Sequence, residues 1–171
     1  MAFSLYDASV ANYLQILGGV SGVLDRSLAH FREHNVDPET IVEARLAPDM
    51  LPLTRQVQIA CDIAKNSVAR LAAQEPPRFE DNETSFEQLR LRIARVIDYL
   101  KSIPAAALDG SEARDIRVPT GQRAYEFKGL EFLQRWAIPN VFFHVTAAYA
   151  ILRHNGVEIG KRDFLGALRE V

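Results

Sequence analysis

The sequence predicts an all-α fold, a four-helix bundle with a short extra helix and a small β-hairpin before the last helix. Four long segments carry apolar residues three or four positions apart, which is typical of helices that pack into a bundle. Prolines, glycines and capping residues separate these segments, without the alternation of a β-α-β pattern. With 171 residues, 48% of them hydrophobic, the chain is expected to form a single domain over residues 1–171 around one core.

The first long helix is predicted to start at a cap formed by Asp7 or Ser9. Its apolar positions are spaced as one face of a bundle helix: Val10, Tyr13, Leu14, Leu17, Val20, Leu24, Leu28 and Phe31. Residues 37–39, Asp-Pro-Glu, then have the order of an N-cap, a first-turn proline and an acidic first turn. This order predicts a short connecting helix that Pro48 ends.

A second long helix is predicted to follow Pro52 and to end at the proline pair 76–77. Its apolar stripe comprises Val57, Cys61, Ala64, Val68 and Leu71. The opposite, polar side carries Arg55, Asp62, Asn66 and Arg70. Gln58 is assigned to a charged edge of this helix together with Asp62 and Lys65.

A capping box predicts the start of the third long helix. Residues 84–87, Thr-Ser-Phe-Glu, have the spacing at which the Thr84 hydroxyl and the Glu87 carboxylate satisfy each other's backbone donors. Pro104 is expected to end this helix. Its apolar face comprises Phe86, Leu89, Ile93, Val96, Ile97, Leu100 and Ile103.

The hairpin and the last long helix follow. Residues 116–118 and 125–127 alternate in polarity around the turn sequence Pro-Thr-Gly, which predicts the two arms of a hairpin. The last helix is predicted to start near Gly129 and to end at residues 155–156, and Pro139 is expected to kink it. Its inward stripe comprises Leu130, Leu133, Ala137, Val141, His144, Ala148 and Ile151.

Two polar residues interrupt this otherwise apolar helix. Asn140 and His144 are four residues apart, or about 40° around a helix of ~3.6 residues per turn, so both are expected to face the same space. Gln56, at the edge of the apolar face of the second helix, is expected to reach that space too. Two interpretations are open: a ligand pocket, or a buried histidine hydrogen-bonded to Asn140 or Gln56 that fixes the helix register.

Composition and charge exclude several classes of function. The formal net charge is -2 and the longest Lys/Arg run is the pair 161–162, so nucleic acid is not an expected partner. The longest charge-free apolar run, residues 137–152, is shorter than the ~20 residues of a bilayer span, so no membrane association is expected. Residues 1–7 lack the features of a secretory signal, so a cytoplasmic location is expected.

Other residue groups are given structural roles. Cys61 is the single cysteine, which excludes an internal disulfide, and its place on the apolar stripe predicts a buried, inert thiol. Residues 18–22 contain three glycines, which are expected to allow close helix packing. The acidic run 80–83 is expected to be a solvated helix cap. The other three histidines are assigned to helix C-termini: His30, His34 and His154.

The last helix has a second apolar face that one bundle core cannot cover. Phe142, Phe143 and Tyr149 lie on this face. It is expected to be a dimer interface or to pack beneath the connecting segments.

Four blocks of the sequence carry a family resemblance: residues 4–9, 46–52, 79–84 and 139–156. Through these blocks the chain resembles the DinB/YfiT-like superfamily of four-helix bundles, in particular a bacterial branch of unknown function. The last block, which runs from Pro139 through Tyr-Ala-Ile-Leu-Arg to Gly156, is the most specific. The resemblance implies a DinB-like bundle that forms a homodimer.

Metal-binding members of that superfamily carry one histidine on the second helix and a His-x-x-x-His pair on the last. The resemblance places His144 as the second histidine of the pair, Asn140 in place of the first, and Gln56 in place of the histidine on the second helix. These three residues would then hold a divalent metal, zinc or nickel. Two amides and one imidazole are a poor ligand set for such a metal.

Three functions follow as hypotheses. A degenerate metal-type pocket formed by Gln56, Asn140 and His144, with Asp49 near its mouth, binds a small molecule. Alternatively, the same residues hold a metal or water and activate a thiol or water, in a metal-dependent transferase or hydrolase. In the third hypothesis the polar pair sets the helix register of a non-catalytic structural dimer. Binding of a small molecule is ranked first.

Overall fold

A computed structural model describes residues 4–168 of the chain. The prediction that residues 1–7 are not a secretory signal falls partly outside this range, because residues 1–3 are not described. In chain order, the elements are a π turn at Asp7–Ala11, α1 Asn12–Glu33, α2 Pro38–Val42, α3 Leu53–Leu71, α4 Phe86–Ser102, 3₁₀ turns at Ala105–Leu108 and Ser111–Ala113, β1 Asp115–Thr120, β2 Arg123–Lys128, α5 Gly129–Phe132, a π turn at Leu133–Ala137, α6 Ile138–His154 and α7 Lys161–Leu165.

Four long helical segments form a closed bundle. α3 packs most extensively against α6, α4 packs against both α3 and α1, and α1 completes the ring against α6. Each of these helices buries its apolar face in one shared core, as Tyr13, Leu71, Ile93 and Val141 illustrate. The predicted all-α bundle, with its extra helix and its hairpin before the last long helix, is confirmed. Within residues 4–168, no helix combines the length and apolar character that a membrane span needs.

The first helix starts earlier than the sequence pattern predicts. Ser4 caps it, in place of Asp7 or Ser9, because the Ser4 Oγ accepts a hydrogen bond from the Asp7 backbone N–H at 3.0 Å. Ser9 is instead buried within the helix, where its hydroxyl donates to the Leu5 carbonyl at 2.5 Å. The extra turn forms because Leu5 is also buried and extends the apolar stripe towards the N-terminus.

The connecting helix α2 has the predicted cap and a different end. Asp37 Oδ1 accepts a hydrogen bond from the backbone N–H of Glu39 at 3.0 Å, as expected of an N-cap. The helix ends at Val42 and not at Pro48. Its last carbonyl, that of Val42, accepts a hydrogen bond from Thr54 Oγ1 of α3 at 2.8 Å, which satisfies an otherwise unpaired helix end.

α3 follows Pro52 as predicted and buries its whole apolar stripe. It ends at Leu71, before the proline pair, because Ala73 takes a left-handed conformation with φ of 53°. The N–H groups of Ala73 and Gln74 then bond the carbonyls of Arg70 and Ala69, which is the pattern of a Schellman cap. Alanine rarely adopts this conformation, in contrast to glycine, so this helix end was not predictable from the residue type.

The cap of α4 lies one residue later than predicted. Ser85 is the N-cap, and its hydroxyl accepts a hydrogen bond from the Gln88 backbone N–H at 3.2 Å. The Gln88 side chain reaches back and accepts from the Thr84 backbone N–H at 2.6 Å. The predicted pair Thr84 and Glu87 is therefore replaced by Ser85 and Gln88, because a hydroxyl and a side chain with an acceptor oxygen also stand at those positions.

The predicted hairpin is confirmed as the antiparallel pair β1 and β2. Ile116 and Val118 of β1 point into the core, whereas most of β2 is exposed. Tyr125 and Phe127 of β2 pack on Trp136, with ring centroids 5.2 and 6.0 Å away. The hairpin therefore covers the π turn that precedes α6.

The fourth long helix is interrupted where the proline was expected to disturb it. Pro139 has no N–H to donate to the preceding turn, and the backbone widens into the π turn Leu133–Ala137, in which Ile138 N–H bonds the Leu133 carbonyl. A π turn inserts one residue and rotates the positions before it relative to those after it. Leu130, predicted on the inward stripe, is consequently exposed, which corrects that part of the prediction.

One of the three glycines in residues 18–22 allows close packing, against the C-terminal segment. A Cβ at Gly19 would lie 2.4 Å from the carbonyl oxygen of Phe164, while Gly18 and Gly22 have open space around them. The nearby Gln15 Nε2 donates to the Leu165 carbonyl at 3.2 Å. Gly19 thus allows α7 and the residues that follow it to pack closely on α1.

Candidate functional site

The centre of the candidate site is a hydrogen bond between α6 and α3. His144 Nδ1 lies 2.7 Å from Gln56 Oε1. Gln56 is only 1% exposed, and its Nε2 donates to the Leu51 carbonyl at 3.1 Å. Both polar ends of the Gln56 side chain are therefore engaged, and its orientation is fixed. The predicted convergence of Gln56 and His144 is what the packing of α3 on α6 produces.

This hydrogen bond determines which nitrogen of His144 carries the proton. A glutamine carbonyl oxygen can only accept, so Nδ1 must donate to it. Burial lowers the pKa of His144 below its ordinary value of 6.5 and so favours the neutral imidazole. In the neutral ring with hydrogen on Nδ1, the lone pair is on Nε2. The site therefore presents an imidazole nitrogen that accepts a hydrogen bond.

Asn140 makes a different contact from the one expected of a histidine partner. Its Nδ2 donates to the Trp136 carbonyl of its own helix at 2.7 Å. Although Asn140 and His144 are on adjacent turns of α6, the partner of His144 Nδ1 is Gln56. Of the two hydrogen-bond partners that the sequence left open, the structure selects Gln56. The Oδ1 atom of Asn140 is an acceptor near the same turn.

Asp49 lies in the turn that precedes α3 and is exposed. Among the described residues, its carboxylate makes no hydrogen bond or ion pair with Gln56, Asn140 or His144. Its chain neighbours Leu46 and Met50 line a groove beside α6. Asp49 is therefore a surface charge at the edge of the predicted pocket region.

The groove beside the site is apolar. It has a volume of about 440 Å³ and is lined by Leu46, Met50, Pro139, Phe142, Phe143, Thr146, Ala147 and Ala150. Phe143 is 59% exposed, and its ring stands edge-on to the His144 imidazole with the centroids 5.3 Å apart. Phe143 therefore lines the groove and also contacts the imidazole of His144.

The second apolar face of the last helix is divided between two environments. Tyr149 is covered by the C-terminal segment, because it packs on Phe164 with ring centroids 5.7 Å apart and donates to the Ile159 carbonyl. Phe142 and Phe143 remain at the groove. The prediction that this face packs beneath another segment of the chain therefore holds for Tyr149, whereas Phe142 and Phe143 line the open groove.

A resident divalent metal does not fit the donor set. The Gln56 oxygen, one of the three predicted ligand atoms, is taken by His144, and the Gln56 nitrogen cannot act as a ligand. In residues 4–168, no three His, Cys, Asp or Glu side chains converge as a metal site would need. Protein zinc sites use at least three such ligands, so this site has too few donors for the metal chemistry of related bundles.

Cys61 has the environment that the sequence predicts. It is fully buried in the core, and burial raises the pKa of its thiol to about 12. A thiol with such a pKa is almost entirely protonated at neutral pH and is a poor nucleophile. Cys61 contributes packing and no chemistry to the site.

A buried charge cluster on the other side of α3 was missed by the sequence analysis. Arg92 of α4 is 1% exposed and pairs with Asp62 at 2.9 Å, Asp81 at 2.9 Å and Glu83 at 3.0 Å. Gln58, predicted on a charged edge with Asp62 and Lys65, is also buried and donates to Glu83 Oε2 at 2.7 Å. The acidic run 80–83, predicted as a solvated cap, is therefore an ion-pairing segment.

The sequence contained one signal for this cluster. Arg92 follows Leu89 by three positions and precedes Val96 by four, so it shares the inward face of α4 with both. A charge at such a position has to be paired, because an isolated buried ion is costly. Burial alone would lower the pKa of Arg92, but the hydrogen bond with Glu83 and the charge of Asp62 raise it overall.

The fold agrees with comparisons to known proteins. The family model of DUF1993, described as a domain of unknown function, matches residues 5–165. A crystal structure of a DinB family member protein from Shewanella denitrificans is 42% identical in sequence, with a TM-score of 0.92. That similarity covers 98% of this chain and 94% of that chain. No curated protein matches the chain significantly.

Proposed function

Because the chain belongs to the DUF1993 family and shares the fold of a DinB family member, we propose that it binds a small molecule at His144. The observation that carries this proposal is the 2.7 Å contact between His144 Nδ1 and Gln56 Oε1. It fixes a neutral imidazole with its Nε2 as an acceptor. A ligand pocket typically combines one or two such fixed polar groups with an apolar wall.

The surroundings of the imidazole define the class of ligand. An Nε2 lone pair accepts a hydrogen bond from a hydroxyl, a thiol or an amine. Phe143 supplies apolar surface next to the His144 imidazole, and the apolar groove that it lines extends this surface. The proposed ligand therefore carries a hydrogen-bond donor on an apolar body, and Asn140 Oδ1 is a second acceptor for it.

Benzyl alcohol and benzyl mercaptan test this proposal, with toluene as the matched probe that lacks a donor. Heteronuclear NMR of the histidine side chains reports separately on Nδ1 and Nε2. The two donor probes are expected to shift the His144 Nε2 resonance, and toluene is expected to leave it in place. Equal effects of all three, or no effect of any, would reject binding through the imidazole.

The metal-dependent alternative is tested on the same protein. Elemental analysis of the tag-free chain and a Zn²⁺ and Ni²⁺ titration of wild type and His144→Ala measure whether a metal binds at the site. Because the donor set has too few ligands, we expect no stoichiometric metal that depends on His144. Stoichiometric metal that is lost in His144→Ala would return the transferase or hydrolase hypothesis to first place.

A homodimer is the second candidate property, and exposed Phe143 favours it. A large apolar side chain that is 59% exposed beside an apolar groove is typical of a contact surface. Light scattering after gel filtration is expected to give twice the 19.2 kDa chain mass for wild type and the single mass for Phe143→Glu. Leu91→Glu, at an exposed apolar residue on α4, is the control and is expected to leave the mass unchanged. A monomeric wild type contradicts this candidate.

A further inference from the structure

The connection between α3 and α4 is held to the bundle mainly by the side chains of basic residues on these two helices. We name residues 77–83 the acidic strap, and Arg55, Lys65, Arg92 and Arg95 the cationic cradle. The strap has no helix or strand of its own. Arg92 Nη1 donates to the Glu80 carbonyl at 2.9 Å, and Lys65 Nζ donates to the Pro77 carbonyl. The strap is thus bound by side chains of the two flanking helices, in the way that a peptide is bound by a protein.

The side chains of the strap make the same kind of contact. Asp81 accepts from Arg55 at 2.6 Å and pairs with Arg92, while Glu83 pairs with Arg92 and accepts from Gln58. The ring of Phe79 takes Lys65 Nζ at 4.7 Å and the Arg95 guanidinium at 4.1 Å from its centroid. An aromatic ring and two carboxylates are therefore the recognition elements of this segment.

Removing the strap would leave an excess of positive charge. The cradle has four cations, and Asp62 of α3 is the carboxylate that the helices themselves bring to Arg92 and Lys65. Arg92 is 1% exposed and would lose two of its three carboxylate partners if Asp81 and Glu83 left. Lys65, which is 4% exposed, would keep Asp62 and lose the Pro77 carbonyl and the Phe79 ring. Burial lowers the pKa of Lys65, and Asp62 opposes that effect. Arg92 Nε is buried without a hydrogen-bond partner among the described residues, so the cradle retains an unused donor even with the strap in place.

From these contacts we infer that the acidic strap is an internal ligand, which opens separately from the bundle and occupies a cradle that binds acidic, aromatic-containing peptides. Separate opening follows from the composition of the contacts, because the strap adds mainly half-buried Phe79 to the core while the bundle helices bury continuous apolar stripes. The partner that fits the uncovered cradle resembles the strap: an aromatic residue followed within four positions by two carboxylates.

The variant Asp81→Asn with Glu83→Gln weakens the strap and leaves the cradle intact. Glu80→Gln is the matched control, since the Glu80 carboxylate is in the same segment and, within residues 4–168, its one hydrogen bond is accepted from Asn82. Hydrogen exchange followed by mass spectrometry is expected to show at least about tenfold faster exchange in residues 77–84 of the double variant, with unchanged protection in α6. If the double variant loses the fold, Asp81→Asn alone serves, because the Asp81 side chain is already 36% exposed.

Binding in trans completes the test. A fluorescein-labelled peptide with the sequence of residues 77–84 is expected to bind the double variant at least about fivefold more tightly than wild type or Glu80→Gln, by fluorescence anisotropy. The same peptide with Asn and Gln at the positions of Asp81 and Glu83 is expected not to bind. Loss of protection throughout the bundle would overturn separate opening. Equal peptide affinity for all three proteins would overturn the cradle as an acceptor.

Discussion

The Nδ1 atom of His144 and the Oε1 atom of Gln56 are 2.7 Å apart, although 88 positions separate the two residues in the chain. This contact joins the two helices that pack most extensively on each other, α3 and α6. It also defines the tautomer of the imidazole. A change at either residue should consequently appear both in stability and in the chemistry of the ring.

Stability is expected to fall in mild acid because of His144. Burial holds the pKa of His144 in the folded chain below 6.5, so the unfolded chain takes up this proton first as the pH falls. The contribution of His144 is therefore complete above about pH 6.5 and is lost as the pH falls through 6.5 towards the folded-state pKa. Urea unfolding at a series of pH values measures this loss. His144→Asn should flatten the curve between pH 7 and 5, whereas His154→Asn, at an exposed position, should not.

Gln56→Leu is expected to destabilise the fold by about 1–3 kcal/mol, because it leaves the His144 Nδ1–H and the Leu51 carbonyl without partners. The same substitution should change the ratio of the two neutral tautomers, since the acceptor that selects Nδ1–H is gone. Urea unfolding gives the stability and side-chain NMR gives the tautomer. Gln134→Leu, at an exposed glutamine, is the control. An unchanged tautomer in Gln56→Leu would contradict the role given to Gln56.

Ser85→Ala is expected to cost about 0.5–2 kcal/mol, because Ser85 caps α4. Thr84→Ala should cost less, since the backbone N–H of Thr84, which alanine keeps, makes the shorter contact with Gln88 Oε1, at 2.6 Å. Only the contact of the Thr84 hydroxyl with the same oxygen, at 3.2 Å, is lost. Thermal unfolding of the two variants compares them directly. A larger effect at Thr84 would favour the capping box that the sequence predicts.

Gly19→Ala is expected to loosen the C-terminal helix, because the added Cβ would meet the Phe164 carbonyl oxygen at 2.4 Å. Gly18→Ala is the matched control: its Cβ meets open space, and alanine in a helix is favoured over glycine by about 1 kcal/mol. The two neighbouring substitutions should thus change stability in opposite directions. Hydrogen exchange in α7 should rise in Gly19→Ala alone. Similar stability changes in both variants would argue against docking of α7 at Gly19.

The sequence predicted the elements that depend on local pattern. Apolar spacing located α1, α3, α4 and α6, and the Asp-Pro-Glu sequence located α2, because these signals act within a few residues. Element ends were predicted less well where several caps compete, as at Ser85, or where an alanine takes the left-handed conformation, as at Ala73. The hydrogen bond between His144 and Gln56 depends on how α3 and α6 pack side by side, which no local pattern specifies.

The charge cluster shows why long-range polar contacts escape a local pattern. Arg55, Asp62 and Lys65 have the spacing of a solvated helix side, and their burial depends on a connection that has no periodicity of its own. For the same reason, the sequence pattern left open whether Asn140 or Gln56 is the hydrogen-bond partner of His144. Its partner is decided by the register between α3 and α6, which neither helix encodes alone.

The docking of α7 on α1 has a consequence for synthesis of the protein in the cell. Gly19 emerges from the ribosome early, while the segment that packs on it, around Phe164 and Gly166, is made more than a hundred residues later. The α3–α6 pair is also distant in the chain, so loops must close over long separations before the core is complete. A nascent chain that stops before residue 161 exposes the face of α1 that α7 covers. The bundle therefore cannot finish folding during translation until residues 161–165 have been made, and until then chaperones that bind exposed apolar helices can bind the uncovered face of α1.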